Sequence, residues 1–256
     1  IGLMGFGLDL MPDVGFMDQK RWAFGHNLVS TQDTPLPKID PKTDPHAWDE
    51  TVPRAILSEL AFIDEFPGVQ VMQGVGVEHP ETTRTVFLVD TGKDSYYIVD
   101  HVHISPSIDD KFVCYSFHSG QGKVKTNLRF ATHPTTLIGE SRNSGKWLPP
   151  TRKVAARDAG KLLKADIAIE DTYGVLPGRC DVQMRFMSLR PAAHIFESAY
   201  MPSQMRQHPG IPKRLPYFFM SEPRPKGRDK TRRFSTLIEP YRKTPSVLSA
   251  RVIESG

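Results

Sequence analysis

Alternation of apolar and polar residues is the dominant pattern along the chain, and it predicts strands that bury one face. Val69–Val77 is apolar at alternate positions, and Arg84–Asp90 is joined to Ser95–Asp100 by Thr-Gly-Lys-Asp, a turn of hairpin length. Further strands are predicted at Lys111–His118, Asp181–Leu189, His194–Tyr200, Tyr217–Ser221 and Arg233–Glu239. Short strands at this spacing indicate an all-β fold, an antiparallel β-sandwich.

Few segments have a helical pattern. Thr151–Ala165 is the candidate for a helix of real length, although Gly160 weakens it. Glu59–Phe66 predicts a helical turn that ends at Pro67-Gly68. Strands and helices do not alternate along the sequence, which disfavours a parallel-sheet fold. We therefore expect at most one or two short helices.

Composition restricts the class of protein without identifying it. The chain has 256 residues, of which 39% are hydrophobic and 24% charged, as in ordinary folded domains. No run approaches the roughly 18 apolar residues of a membrane-spanning helix. We interpret residues 1–256 as a single sandwich domain, in which residues 1–53, rich in Pro, Gly and Asp, form a loop-rich leading segment.

Two features bear on the origin of the chain. Cys114 and Cys180 lie outside any Cys-x-x-Cys motif, and the sequence leaves open whether they form one disulfide or stay free thiols. The chain begins with Ile1 rather than Met, so we expect it to be a piece of a longer protein.

The formal charge of +4 is unevenly distributed. Between Arg206 and Lys243, eleven basic residues face three acidic ones, a local charge of +8. Such a segment attracts nucleic acid, acidic polysaccharide or anionic membrane, or is simply a solvated loop. Aromatic residues there are limited to Tyr217, Phe218 and Phe219 and no nucleic-acid motif is present, so nucleic-acid binding is disfavoured.

Four sequence blocks occur in a recognisable order. They are Met11-Pro-Asp-Val-Gly-Phe16 followed by Trp22-Ala-Phe-Gly-His-Asn-Leu-Val-Ser-Thr-Gln32, then Arg84-Thr-Val-Phe-Leu-Val with Tyr97-Ile-Val-Asp100, then Tyr115-Ser-Phe-His118, and finally Phe234-Ser-Thr-Leu-Ile-Glu-Pro-Tyr241. Together they resemble the heparinase II/III-like family of polysaccharide lyases, at its C-terminal β-sandwich. The last block, for example, is similar to the family's Phe-x-Thr-Val-Leu-Glu-Pro-Tyr.

The resemblance implies a sandwich of the super-sandwich type that follows an N-terminal α-toroid domain, with the substrate cleft between the two. The toroid, which is missing from this chain, carries the catalytic tyrosine in that family, so no catalytic residue is assignable here and the fragment alone is expected to be inactive. The implied reaction is β-elimination in a uronate-containing acidic glycan, such as a glycosaminoglycan or alginate. The implied location is periplasmic or secreted.

The resemblance also implies a zinc site. His26 and His79 stand where the family places metal ligands, and two histidines with one carboxylate form a suitable zinc set. Asp44 is our choice for the carboxylate, in competition with Asp33, Asp40 and Asp49.

The residues expected to contact substrate are Trp22, His26 and Arg84, although a carboxylate partner inside the sandwich is the preferred role for Arg84. Phe24 stands where some of these lyases have a second, catalytic histidine. That departure favours the alternative function, a non-catalytic carbohydrate-binding β-sandwich module.

Three further histidines need separate readings. His101 and His103 share one face of their strand, as a metal pair or, the preferred reading, as part of a polar outer face. His118 ends an alternating strand and is expected to be a structural hydrogen-bonding residue.

Overall fold

The computed structural model describes residues 3–11, 27–32, 54–55, 58–92, 95–109, 111–133, 152–198, 215–226 and 231–253. The strands within these ranges are β1 (Leu3–Gly5), β2 (Leu8–Met11), β3 (Val29–Gln32), β4 (Arg54–Ala55), β5 (Ser58–Phe66), β6 (Val69–Gly76), β7 (Thr83–Gly92), β8 (Ser95–Ile104), β9 (Phe112–His118), β10 (Gly122–Thr126), β11 (Phe130–Thr132), β12 (Arg152–Val154), β13 (Lys164–Ile169), β14 (Val182–Ser188), β15 (His194–Ser198), β16 (Tyr217–Pro223) and β17 (Arg232–Arg242).

Most of these strands belong to two antiparallel sheets. One has eight strands in the order β10-β13-β14-β17-β8-β7-β6-β5, and the other has seven in the order β11-β12-β15-β16-β9-β3-β4. The hairpin of β1 and β2 forms a third, two-stranded sheet. Helical structure in the described ranges is a single 3-10 turn at Ala156–Asp158. The expected all-β, antiparallel fold class is confirmed.

The core lies between the two large sheets, where alternate residues of both meet. Phe186 and Ile238 of the eight-stranded sheet pack in one cluster with Tyr115, Phe117 and Phe218 of the seven-stranded sheet. The rings of Phe117 and Phe186 stack with centroids 4.0 Å apart. Burying side chains of this size stabilises the fold by about 1.5–3 kcal/mol each, so the contact between sheets is the main source of stability.

Charged residues fasten the chain that follows β17 onto the outer face of the eight-stranded sheet. One carboxylate oxygen of Glu239 accepts hydrogen bonds from the backbone N and the hydroxyl of Ser246, both at 2.5 Å, and from the N of Val247 at 3.0 Å. Arg185, which is paired with Asp166, donates to the carbonyl of Val247 at 3.0 Å. This end of the outer face is therefore covered by the chain itself.

The strands predicted from alternation are present with small shifts of their ends, but both predicted helical segments are wrong. Glu59–Phe66 lies within β5, which pairs with β6 across Pro67-Gly68, and Gly68 takes the positive φ of 74° that this tight turn needs. Thr151–Ala165 holds β12, the 3-10 turn and the start of β13. Gly160, at a φ of 78°, interrupts any continuous helix there.

Two further points follow from the fold. Cys114 and Cys180 are both free thiols, which settles the alternative that the sequence left open. No helix in the described ranges is long and apolar enough to cross a membrane.

Candidate functional site

Arg84 forms the centre of a polar cluster inside the sandwich. Its Nε and Nη2 donate to the two carboxylate oxygens of Asp100 at 3.0 and 2.6 Å, the paired geometry in which a guanidinium binds a carboxylate most strongly. The side chains of Arg84 and Asp100 are 22% and 3% exposed. Burial lowers the pKa of Arg84, but the charge and hydrogen bonds of Asp100 outweigh it and raise the pKa overall. The carboxylate partner expected for Arg84 is confirmed.

Tyr115 connects this ion pair to the seven-stranded sheet. Its hydroxyl donates to Asp100 Oδ2 at 2.7 Å and lies 3.1 Å from the hydroxyl of Thr236. Burial, and then the charge of Asp100, raise the pKa of Tyr115 well above its usual value. Since the hydroxyl keeps its proton at neutral pH and donates a hydrogen bond to Asp100, Tyr115 is an anchor rather than a general base.

The cluster holds the backbone directly after His26. Arg84 Nη1 donates to the carbonyl oxygen of Asn27 at 3.0 Å, and the backbone N of His118 donates to Asn27 Oδ1 at 2.6 Å. Asn27 is 4% exposed, and its Nδ2, identified because Oδ1 accepts a backbone N–H, has no hydrogen-bond partner among the described residues. Asn27 follows His26 directly in the sequence, so the cluster fixes the backbone at that point.

His118 takes the structural role expected from its sequence. It is 1% exposed, and its ring stacks on that of Tyr217 with centroids 4.9 Å apart. Together with its backbone bond to Asn27, this packing joins the ends of β9 and β16 to the segment that precedes β3.

His79 lies in the turn between β6 and β7. Its Nδ1 is 3.0 Å from the hydroxyl of Ser107, which lies 2.6 Å from that of Ser105. Ser105 in turn donates to Glu81 at 2.5 Å. The chain from His79 through two hydroxyls to Glu81 fixes one ring nitrogen and does not involve Nε2.

The remaining predicted site residues, Trp22, His26 and Asp44, lie outside the described residues, so the predicted zinc set stays a prediction. Within the ranges that the structure describes, no group of three or more His, Cys, Asp or Glu residues could hold a metal ion. The substrate contact predicted for Arg84 likewise stays a prediction.

Sequence reasoning did not single out Asn27 or Thr236, and it gave Tyr115 no role beyond a motif. The signal that was available is their position: each belongs to one of the four ordered blocks, as do Arg84 and Asp100. The four blocks meet in one hydrogen-bonded cluster, in which directly bonded residues lie as far apart in the sequence as Tyr115 and Thr236, 121 positions.

Fold and cluster together define a β-sandwich whose four motif blocks share a buried polar centre. No protein-family profile matches the sequence, and no curated protein matches it. Among solved structures, the chain is similar to the heparan sulfate lyase HepC from Pedobacter heparinus, with 11% identity, a TM-score of 0.47 and coverage of 92% of this chain and 29% of that one. It is similar also to two heparinase III structures, with identities of 15% and 13%, TM-scores of 0.48 each, and coverage of 93% of this chain and 29% and 28% of those chains.

These solved structures are of the kind that the motifs resemble, and the chain spans about 29% of their length.

Proposed function

We propose that this chain is the sandwich portion of a polysaccharide lyase that cleaves uronate-containing acidic glycans by β-elimination. The observation that carries the proposal is the convergence of the four motif blocks on Arg84, Asp100, Tyr115, Thr236 and Asn27. A functional site needs supporting residues that hold it in place, and the fold can bring such residues together from distant parts of the sequence. The cluster binds Asn27, the residue that follows His26 in the sequence, and this supports a role for that histidine at the cleft.

The proposed reaction defines what each part must supply. A base removes the proton α to the uronate carboxylate, the electron pair forms the new C=C bond, and the 4-linked oxygen leaves and receives a proton from an acid. Extra negative charge develops on the carboxylate and must be stabilised by fixed donors. In this proposal the base and acid belong to an N-terminal α-toroid domain, while His26 and Trp22 contact the substrate from the sandwich and Asn27 holds the backbone next to His26.

A zinc ion is part of the proposal, with His26, His79 and Asp44 as ligands. The donor set fits: two imidazoles and a carboxylate leave one position open, and the Ser107 hydroxyl already fixes His79 Nδ1. Bound zinc would stabilise negative charge as a Lewis acid. Arg84 would keep the segment of His26 in place through its bond to Asn27.

The test of the activity is a β-elimination assay on the protein extended upstream to its natural start. Ultraviolet absorbance of the unsaturated uronate is followed with heparan sulfate, alginate and hyaluronan. We expect product from one of these glycans, and none from residues 1–256 alone. Binding to a glycan without any product from the extended protein would instead support the carbohydrate-binding module.

The test of the metal site measures zinc content rather than activity. We expect about one zinc per chain after equilibrium dialysis, and loss of that zinc in His26→Ala and His79→Ala. His133→Ala, outside the proposed set, is the matched control. Unchanged zinc in the first two variants contradicts the ligand assignment.

The proposal includes a periplasmic or secreted location, because a polymeric acidic glycan does not cross a membrane unaided. Fractionation of the host cells tests it: the full-length protein is expected outside the cytoplasm.

A further inference from the structure

The outer face of the eight-stranded sheet carries a group of basic side chains at the end opposite to the Glu239 contacts. Asp100 of β8 points inward to Tyr115, so its neighbours His101 and His103 point outward. In register, His101 lies between Thr85 of β7 and Ser235 of β17, and His103 lies between Thr83 and Arg233. Directly opposed side chains in antiparallel strands are about 5 Å apart, so these six residues form one continuous patch.

Arg190 adds a second guanidinium to this patch. It follows β14, where the N of Leu189 donates to the O of Ser235 at 2.7 Å. Burial, and then the positive charges of Arg190, His103 and Arg233, lower the pKa of His101, while Asp100 raises it. Arg190, His103 and Arg233 are therefore all close enough to act on His101.

In the structure, two neighbouring residues of the basic segment between Arg206 and Lys243 point to opposite faces of the sheet. Arg232 is 3% exposed and donates to the carbonyl of Ile108 at 2.7 Å, so its side chain is buried and does not contribute to the charged surface. Arg233, the next residue, is exposed on the outer face. Asp100, the acid that acts on His101, is committed to Arg84 on the opposite side of the sheet.

We propose that this basic patch, formed by His101, His103, Arg190 and Arg233, binds sulfate or carboxylate groups of an acidic glycan. Guanidinium and imidazolium groups donate charge-assisted hydrogen bonds to such oxyanions, and the hydroxyl of the half-buried Thr83 adds a neutral donor. Thr85 and Ser235 are 8% and 5% exposed and line the base of the patch, where Thr85 binds Gln73 and Ser235 binds His101 Nδ1 at 2.7 Å. The site relies on the proposed function only for the identity of the glycan. It lies on the face opposite to Arg84 and Asp100, and so extends the contact with the polymer beyond the Asn27 cluster.

His101 makes this binding dependent on pH. Facing it are the uncharged Thr85 and Ser235, with Arg190, Arg233 and His103 as the cationic groups and Asp100 behind the sheet. Burial contributes most to the lowered pKa of His101, and an oxyanion in the patch would offset the part that comes from the neighbouring cations. Binding is therefore accompanied by proton uptake, and affinity rises as the pH falls from 7 to 5.

The experiment measures binding of a fluorescently labelled heparan sulfate oligosaccharide of defined length to residues 1–256 by anisotropy, at several salt concentrations. Arg190→Gln/Arg233→Gln is expected to weaken binding about tenfold and to flatten its salt dependence. Lys123→Gln/Lys125→Gln removes the same charge from exposed positions on β10 of the same sheet and is expected to change affinity less than about twofold. His101→Gln is expected to abolish the rise in affinity at low pH, and circular dichroism verifies that all variants fold.

Each outcome has a defined meaning. Equal weakening in both double variants, or no binding by the wild-type chain, overturns the patch. Equal affinity for a DNA duplex of the same charge, lost in the same variants, overturns the glycan assignment. If the arginine variant loses binding and the extended protein gives no unsaturated product, the glycan-binding patch is supported and the lyase activity is contradicted. If the extended protein gives product and the arginine variant binds as the wild type does, the lyase activity is supported and the patch is contradicted.

Discussion

Arg84 and Asp100 form a buried ion pair in which each residue also has a further hydrogen-bond partner. Asp100 receives two hydrogen bonds from Arg84 and one from Tyr115, so its carboxylate has partners in both sheets. Arg84 uses its third donor on Asn27. Removing one partner would leave the other charge without compensation in a nearly water-free position, which is far more costly than removing both.

We therefore expect Arg84→Met to lower the free energy of unfolding by about 3 kcal/mol. Arg84→Met/Asp100→Leu, which leaves no unpaired charge, is expected to recover more than half of that loss, since Tyr115 still has Thr236 as a partner. Urea unfolding followed by tryptophan fluorescence measures both values. A double variant as unstable as the single one would show that Asp100 is not the group stabilised by Arg84.

Strand β5 is an edge strand of the eight-stranded sheet with an exposed apolar surface. It lies at the edge of the sheet, pairs with β6 alone, and exposes Leu60, Phe62, Ile63 and Phe66 at 58%, 44%, 67% and 53%. A long apolar edge strand of this kind offers unpaired backbone groups to another chain.

We expect the isolated chain to self-associate with rising concentration through β5, and Ile63→Lys to suppress this with less than about 0.5 kcal/mol change in stability. Leu248→Lys, at a residue 74% exposed but outside the strands, is the control and should self-associate like the wild type. Sedimentation velocity distinguishes the three proteins. Equal association in Ile63→Lys assigns the contact to another surface.

Secondary-structure elements could be predicted from the sequence where contacts between residues close in sequence determine them. The β7–β8 hairpin follows from alternation and a glycine turn within twenty-two residues, and the structure has it. Glu59–Phe66 was misjudged because its mixed apolar and acidic residues fit a helix as well as an exposed edge strand, and only pairing with β6 decides. In the site, a carboxylate partner for Arg84 could be anticipated from the sequence. Thr236 and Asn27 join the same cluster from distant parts of the chain, and no local sequence pattern indicates such contacts.

At the scale of the whole molecule, Cys114 is a fully buried thiol of the seven-stranded sheet that reagent reaches only when the structure opens. It lies in β9, fully buried, and burial raises the pKa of its thiol to about 12. Cys180 is only partly buried and donates to the carbonyl of Ile169 at 3.2 Å. Because the thiolate is the reactive form, Cys114 is protected both by exclusion of reagent and by its proton.

We expect an aromatic disulfide reagent to label Cys180 readily and Cys114 only as fast as the protein unfolds globally. Cys180→Ala isolates the slow reaction, and Cys114→Ala the fast one. In Cys180→Ala, adding Arg84→Met should accelerate labelling by about tenfold for each 1.4 kcal/mol of lost stability. Labelling of Cys114 that ignores this destabilisation would indicate a local opening of β9.

Strand β17 stands in the middle of the eight-stranded sheet, between β14 and β8, although it is the last strand of the described chain. His101 of β8 meets its partner Ser235 only 134 positions later. On the ribosome, which adds about 5–20 residues per second, β8 therefore keeps a bare edge for several seconds after it emerges. A message cut short before β17 would yield two half-sheets with nothing to join them, and such a product is a substrate for chaperones and proteases rather than a smaller version of the protein.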